Sequence, residues 1–167
     1  MTPVPTTTPR PRLRPRLRAC LDLTPRGGPV VDVGSAHGRL ARAILAREPG
    51  CAVIATEAKP GPAGELRRVL GPLPGICIVH GPGLAPVRGR SLEGAVIAGM
   101  GGRTIIAILA DGDDVVRQLS WLCLQAMQST ELLHAWLRRQ GFRLRAAARP
   151  VEAGRVYRAV LVAPPCG

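Results

Sequence analysis

The residues best placed for chemistry lie in Val31-Asp32-Val33-Gly34-Ser35-Ala36-His37-Gly38. An apolar β-branched run, Val30 to Val33, reads as a buried parallel strand that ends in Gly34. A tight turn follows, then Gly38 and a helix with Leu40, Ala41, Ile44 and Leu45 on one face. That helix stops at Glu48-Pro49-Gly50. Gly34 and Gly38 carry no Cβ, so the backbone is expected to approach a ligand closely at both. The helix start adds N–H groups that have no partner within the helix. The spacing is Asp-x-Gly-x-x-x-Gly, not the Gly-x-Gly-x-x-Gly of dinucleotide sites. An acid beside the first glycine suits a ligand with a cationic amine. S-adenosylmethionine carries such an amine, whereas NAD presents a pyrophosphate. Glu57 ends a second apolar strand, Ala52 to Ala55, 25 residues after Asp32. A carboxylate in that place accepts hydrogen bonds from ribose hydroxyls. The plain alternative is that Asp32 and Glu57 are solvated strand ends and the glycines ordinary turn residues. The turn and the acid together favour a nucleoside-type cofactor.

A second glycine stretch closes a fourth strand, Ala95 to Ala98, with Gly99-Met100-Gly101-Gly102. Three glycines around Met100 leave that strand end nearly bare of side chains. A flat base could pack there against backbone and bond to the peptide groups. The competing reading is a β–α turn that needs glycine for steric reasons alone.

These residues need a sheet to bring them together. The third strand is Ile76 to Val79, running into His80-Gly81-Pro82-Gly83-Leu84, and the fifth is Trp121 to Leu124, ending at Gln125. Between them lie helices from Pro60 to Leu70, around Ile105, Ile106 and Leu109, and after Ser129 or Thr130. The last is expected to turn Leu132, Leu133, Trp136 and Leu137 inward. Phe142–Ala147 and Val156–Val162 have no helix between them, so they predict an antiparallel pair at the sheet edge. The pattern is five βα units and a terminal hairpin: an α/β fold with an open, mostly parallel sheet and helices on both faces. Ligands in such sheets bind outside the carboxyl ends of the strands.

Composition narrows the partners. The chain has 167 residues, is 46% hydrophobic and fits one core. The aromatics are Trp121, Trp136, Phe142 and Tyr157, too few for an extended RNA-stacking platform. The net charge is +12, which points to a polyanionic partner such as nucleic acid. Genomic base composition explains the preference for Arg over Lys but not the excess over 11 acids. Five scattered cysteines with no Cys-x-x-Cys pair read as small apolar residues in a reducing compartment. The histidines lack metal-ligand spacing, so no metal is expected. No apolar leader opens the chain, so a cytoplasmic protein with no membrane segment is expected. Residues 1–15, with five prolines, read as a flexible basic arm, and residues 16–23 as a short helix covering the sheet with Leu17, Leu21 and Leu23 inward.

Val31-Asp32-Val33-Gly34-Ser35, His37, Leu40, Glu57, Gly83-Leu84, Ile97-Ala98-Gly99-Met100-Gly101-Gly102, Leu124-Gln125 and Val156-Tyr157 together resemble a known family. It is that of the bacterial tRNA (adenine-N1)-methyltransferases of the TrmK type. The Ile-Ala-Gly-Met-Gly-Gly turn is intact. The resemblance spans about residues 16–163. It implies a Rossmann-like class I methyltransferase fold over 16–167 and S-adenosyl-L-methionine as cofactor. It also implies tRNA as partner and methyl transfer to N1 of an adenine, adenine 22 in the family. By the same resemblance, Asp32, Gly34, Ser35, Gly38, Glu57, Ala98 and Gly99 hold the cofactor. His37, Gly99, Met100 and Gly101 serve the acceptor side, with His37 or water taking a proton; the other role open to His37 is to stabilise the turn. The chain departs from the family at Ala36 and Pro82, where Asp is usual, and at Ala126-Met127, where Pro-Asn is usual. It stops at Gly167, so the family's C-terminal helical domain is expected to be absent. A non-catalytic RNA- or partner-binding protein on the same fold, or a methyltransferase for another substrate, are the alternatives.

Overall fold

A computed structural model describes residues 12–165. Residues 1–11 of the expected arm, and Cys166, lie outside it. The elements in chain order begin with α1 (Pro15–Leu23), β1 (Val30–Val33), α2 (Arg39–Arg47), β2 (Val53–Glu57), α3 (Pro60–Leu70) and β3 (Ile76–His80). There follow β4 (Gly94–Met100), α4 (Gly102–Asp111), α5 (Asp113–Val116), β5 (Trp121–Ala126) and α6 (Thr130–Arg139). The chain closes with β6 (Arg143–Ala148), β7 (Val151–Glu152), β8 (Arg155–Val156) and β9 (Ala159–Ala163).

Seven strands form one sheet in the order β3-β2-β1-β4-β5-β9-β6. The first five run parallel. β9 pairs antiparallel with both β5 and β6, which puts the expected terminal pair at the edge. Side chains alternate across this sheet. Val31, Val33, Ala95, Ile97, Leu122, Leu124, Val160 and Val162 fill a core against α4, α5 and α6. Val30, Val96, Trp121, Cys123 and Leu161 fill the other core against α1, α2 and α3. Asp32 and Gln125 follow the second parity, so both lie on the α1/α2 side at the carboxyl edge.

Several boundaries differ from the sequence expectation. Helix α1 begins at Pro15, because proline fits the first helical turn, where no N–H is needed. Arg14 is therefore the N-cap of a packed helix and not part of a free arm. Leu21 is buried, while Leu17 and Leu23 are half-buried. β4 runs two residues further than expected, through Gly99 to Met100. Only a short 3-10 turn, Ala85–Val87, follows β3, so the third βα unit has no full helix. Leu133 and Leu137 are buried in α6, but Leu132 is exposed and Trp136 only half-buried, leaning on Phe142 at 5.8 Å between ring centroids. Ser129 takes the N-cap place with φ +56°, and its hydroxyl makes no capping bond.

Candidate active site

The turn after β1 is built from left-handed residues: Gly34 at φ +67°, Ala36 at +48° and Gly38 at +66°. Backbone bonds brace it. Ser35 donates its N–H to the Thr56 carbonyl at 2.9 Å, and Gly38 donates to the Ser35 carbonyl at 2.7 Å. The Ser35 hydroxyl donates to Asp32 Oδ2 at 2.6 Å. Burial pushes the Asp32 carboxyl up to about 6, against the opposing pull of the Ser35 hydrogen bond. Glu57 is buried at the end of β2. It accepts the Ala36 N–H at 3.3 Å on one oxygen and the Lys59 N–H at 3.0 Å on the other.

Across from this turn, β4 carries a register shift at Gly99: Ala98 pairs with Gln125 and Met100 with Ala126, so Gly99 is skipped. Gly99 has φ +81°, and its N–H donates to the side-chain oxygen of fully buried Gln125 at 3.2 Å. The Met100 carbonyl accepts the Met127 N–H at 2.8 Å, and the Gly101 carbonyl accepts that of Ile105 at 3.0 Å. Of these three residues, Gly99 is the one that the strand register skips.

The two turns face one cleft of about 360 Å³. Among the residues singled out in the sequence, Asp32, Gly34, Ser35, His37, Ala98, Gly99 and Met100 line it. Glu57, Gly38 and Gly101 stand outside its lining. Glu57 adjoins it through Ala36, a lining residue whose N–H it accepts. A Cβ on Gly38 would collide with Leu70 and crowd Leu66 at 3.0 Å, so this glycine serves the core and not ligand approach, contrary to expectation. Gly101, at φ −69°, could carry a Cβ in ordinary contact: its nearest neighbour would be Gln128 at 3.5 Å.

Arg39, Ala36 and Leu40 of the first turn and helix also line the cleft, and three further lining residues come from a distant segment: Arg14, Arg16 and Leu17. Arg16 donates through its backbone N–H and its Nε to the two oxygens of Glu152, each at 3.3 Å. Arg14 adds an ion pair to the same carboxylate at 3.6 Å. Glu152, on the β7–β8 ribbon, thus pins the start of α1 over the cleft. The sequence separation of 136 residues between Arg16 and Glu152 hides this contact from local patterns. The one available signal is a basic residue beside the first helical proline. Among the described residues, no three His, Cys, Asp or Glu side chains gather where a metal ion could sit, and no helix is long and apolar enough to cross a membrane.

The chain is 29% identical over 155 residues to the tRNA (adenine(22)-N(1))-methyltransferase of Bacillus subtilis (strain 168); the match covers 91% of this chain. The chain spans less than two thirds, 65%, of that curated relative. The crystal structure of the Bacillus subtilis M1A22 tRNA methyltransferase TrmK superimposes with a TM-score of 0.82 at 26% identity, covering 93% of this chain and 68% of that one. Streptococcus pneumoniae Sp1610 in complex with S-adenosyl-L-methionine gives a TM-score of 0.82 at 29% identity, over 91% and 73%. A family model described as a methyltransferase domain matches residues 13–160, nearly the whole described chain. With the sheet order, the glycine turn after β1 and that match in agreement, the chain belongs to the methyltransferase-domain family.

Proposed function

We propose that this chain is a cytoplasmic methyltransferase that uses S-adenosylmethionine to methylate N1 of an adenine in tRNA. The observation that carries this reading is the meeting of two glycine turns on one cleft. Asp32, Gly34 and Ser35 line one wall, and Ala98, Gly99 and Met100 the other. A relative 29% identical binds S-adenosyl-L-methionine, and the Bacillus subtilis relative is named for adenine 22 of tRNA.

The residues fit the cofactor. Asp32 is a buried carboxylate held up at about 6 by desolvation, so a cationic amine beside it relieves an existing cost. Arg16 brings positive charge to the same cleft for the cofactor's carboxylate. Glu57 uses one lone pair of each oxygen on Ala36 and Lys59 and keeps acceptor capacity for ribose hydroxyls. When bound, the cofactor supplies a methyl group on a positively charged sulfur.

Adenine N1 brings its own lone pair, so the chain's main task is alignment, with little activation needed. Backbone carbonyls near Gly99 to Gly101 accept from the adenine amino group in this reading, and Gly99 lines the cleft. His37, exposed on the cleft wall, is placed to take the proton that leaves the methylated base, with water as the other acceptor. Ala36 has no carboxylate to share that role.

Titration calorimetry with S-adenosylmethionine, S-adenosylhomocysteine and NAD tests the cofactor half. Binding of the first two and not of NAD is expected; the reverse pattern overturns it. Transfer of labelled methyl to bulk tRNA tests the other half. Cofactor binding without any transfer would leave the chain a non-catalytic member of its family.

A further inference from the structure

Register decides which basic residues share an edge with the cleft. β5 runs toward the carboxyl edge, and its Gln125 pairs with Ala159, which β9 in turn pairs with Ala148. The segment 149–158 therefore emerges beside the glycine stretch of β4. Arg143 pairs with Ala163 at the opposite end of the sheet, and Arg138 and Arg139 sit in the last turn of α6, which starts at the cleft edge and runs away from it.

A second, smaller cavity of about 180 Å³ opens at the carboxyl edge, lined by Met127, Glu131, Arg149, Arg155, Tyr157 and Arg158 among others. Its size is below that usual for a whole small-molecule ligand and suits a single compact group. Arg155 is anchored: its Nη2 donates to the Met127 carbonyl at 2.8 Å, and its guanidinium lies 5.1 Å from the centre of the Tyr157 ring. Met127 in turn donates to the Met100 carbonyl at 2.8 Å, so one backbone contact joins this cavity to the cleft's far wall. Arg158 is partnered by Glu131 at 3.2 Å. Among the described residues, Arg149 and Arg155 have no carboxylate partner. With Glu131 taken up by Arg158, two guanidiniums border the cavity outside any ion pair. A planar guanidinium offers paired N–H donors that match a phosphate.

We propose that this cavity holds a phosphodiester of the nucleic-acid acceptor through Arg149 and Arg155, setting the strand's register on the glycine stretch. The proposal rests on the tRNA reading above and names where that substrate is gripped. It excludes Arg138, Arg139, Arg143 and Arg145 as the main contact, because they lie toward the wrong end of the sheet.

Filter binding of bulk tRNA across a potassium chloride series tests it, using the full chain. Each lost phosphate contact flattens the slope of log affinity against log salt by about 0.7–0.9. Arg149→Gln is expected to flatten it by one contact and Arg149→Gln/Arg155→Gln by about 1.4–1.8. Arg138→Gln/Arg139→Gln should leave it unchanged. Arg155 also ties down the ribbon, so a melting curve accompanies the double variant. Arg149 bears no such tie, and Arg149→Gln alone decides if the double variant unfolds. Wild-type slopes in Arg149→Gln overturn the proposal, as does flattening confined to the Arg138/Arg139 pair. Calorimetry with S-adenosylhomocysteine separates the two levels: cofactor binding with unchanged slopes removes this subsite alone, whereas no cofactor binding removes the methyltransferase reading.

Discussion

The two glycine turns look alike in sequence, and the structure divides their labour in the same way. In the turn after β1, Gly34 faces the cleft and a Cβ there would meet only the flexible tip of Met100. Gly38, four residues on, is packed against Leu66 and Leu70. In the turn after β4, Gly99 and Gly101 have room or meet only the tip of a side chain, whereas Gly102 lies against the backbone of Ser129 and Gln128. Each turn therefore has glycines that leave space for a ligand and one that lets a helix start close against its neighbour. Where the turns differ is charge. The first carries Asp32 and leans on Glu57; the second has no charged side chain of its own, though the Arg16 guanidinium lies 3.2 Å from where a Gly99 Cβ would stand. That asymmetry suits a charged donor on one wall and a flat neutral base on the other.

The largest expected effect separates packing glycines from ligand-facing ones. Gly38→Ala must adopt φ +66° and displace Leu70. Left-handed strain and overpacking together should cost about 2–5 kcal/mol of stability, read from urea unfolding. A loss under about 0.5 kcal/mol would mean that the Leu66–Leu70 contact gives way easily, and the division of labour fails in the first turn.

Next in size is the charge on the first turn. Glu57→Ala removes the acceptor of two backbone N–H groups and, in the proposed function, of the ribose hydroxyls. S-adenosylhomocysteine affinity should fall by about 1.5–3 kcal/mol per charge-assisted bond lost, less where water substitutes. Calorimetry showing wild-type affinity would remove Glu57 from the site.

Asp32 sharpens the contrast through pH. Its folded pKa, about 6, lies above the ordinary 3.8, so the folded protein holds this proton more tightly than the unfolded chain. Stability from this group is therefore present below about pH 4 and lost as pH rises toward 6. A ligand bearing an amine gains from the ionised form, so its affinity should fall about tenfold per pH unit below 6. 5′-Methylthioadenosine, which lacks the amine, should show no such dependence in the wild type. Equal pH profiles for the two ligands would place the amine elsewhere.

The smallest effect on the fold belongs to Gly101→Val. With φ −69° and its nearest neighbour at 3.5 Å, the new side chain fits, so the loss should be about 1 kcal/mol, that of an apolar residue at the N-cap of α4, with cofactor affinity intact. In the proposed function, methyl transfer to tRNA should nonetheless drop, because the added bulk adjoins Met100, which lines the cleft. Unimpaired transfer would put the base away from Gly101, which the cleft lining already omits.

Sequence by itself determined the layered α/β fold, because short continuous apolar runs at Val30–Val33, Ala95–Ala98 and Trp121–Leu124, separated by helical segments, leave few other arrangements. It also marked Asp32, Gly34 and Gly99, since an acid and bare backbone at strand ends are local features. What it could not reach depends on contacts between distant segments. The role of Gly38 was set by Leu66 and Leu70 of α3, and those of Arg14 and Arg16 by Glu152 on a ribbon at the other end of the chain. Which arginines share the cleft edge followed from the pairing of Gln125 with Ala159, because strand register is a property of the assembled sheet and not of any one strand.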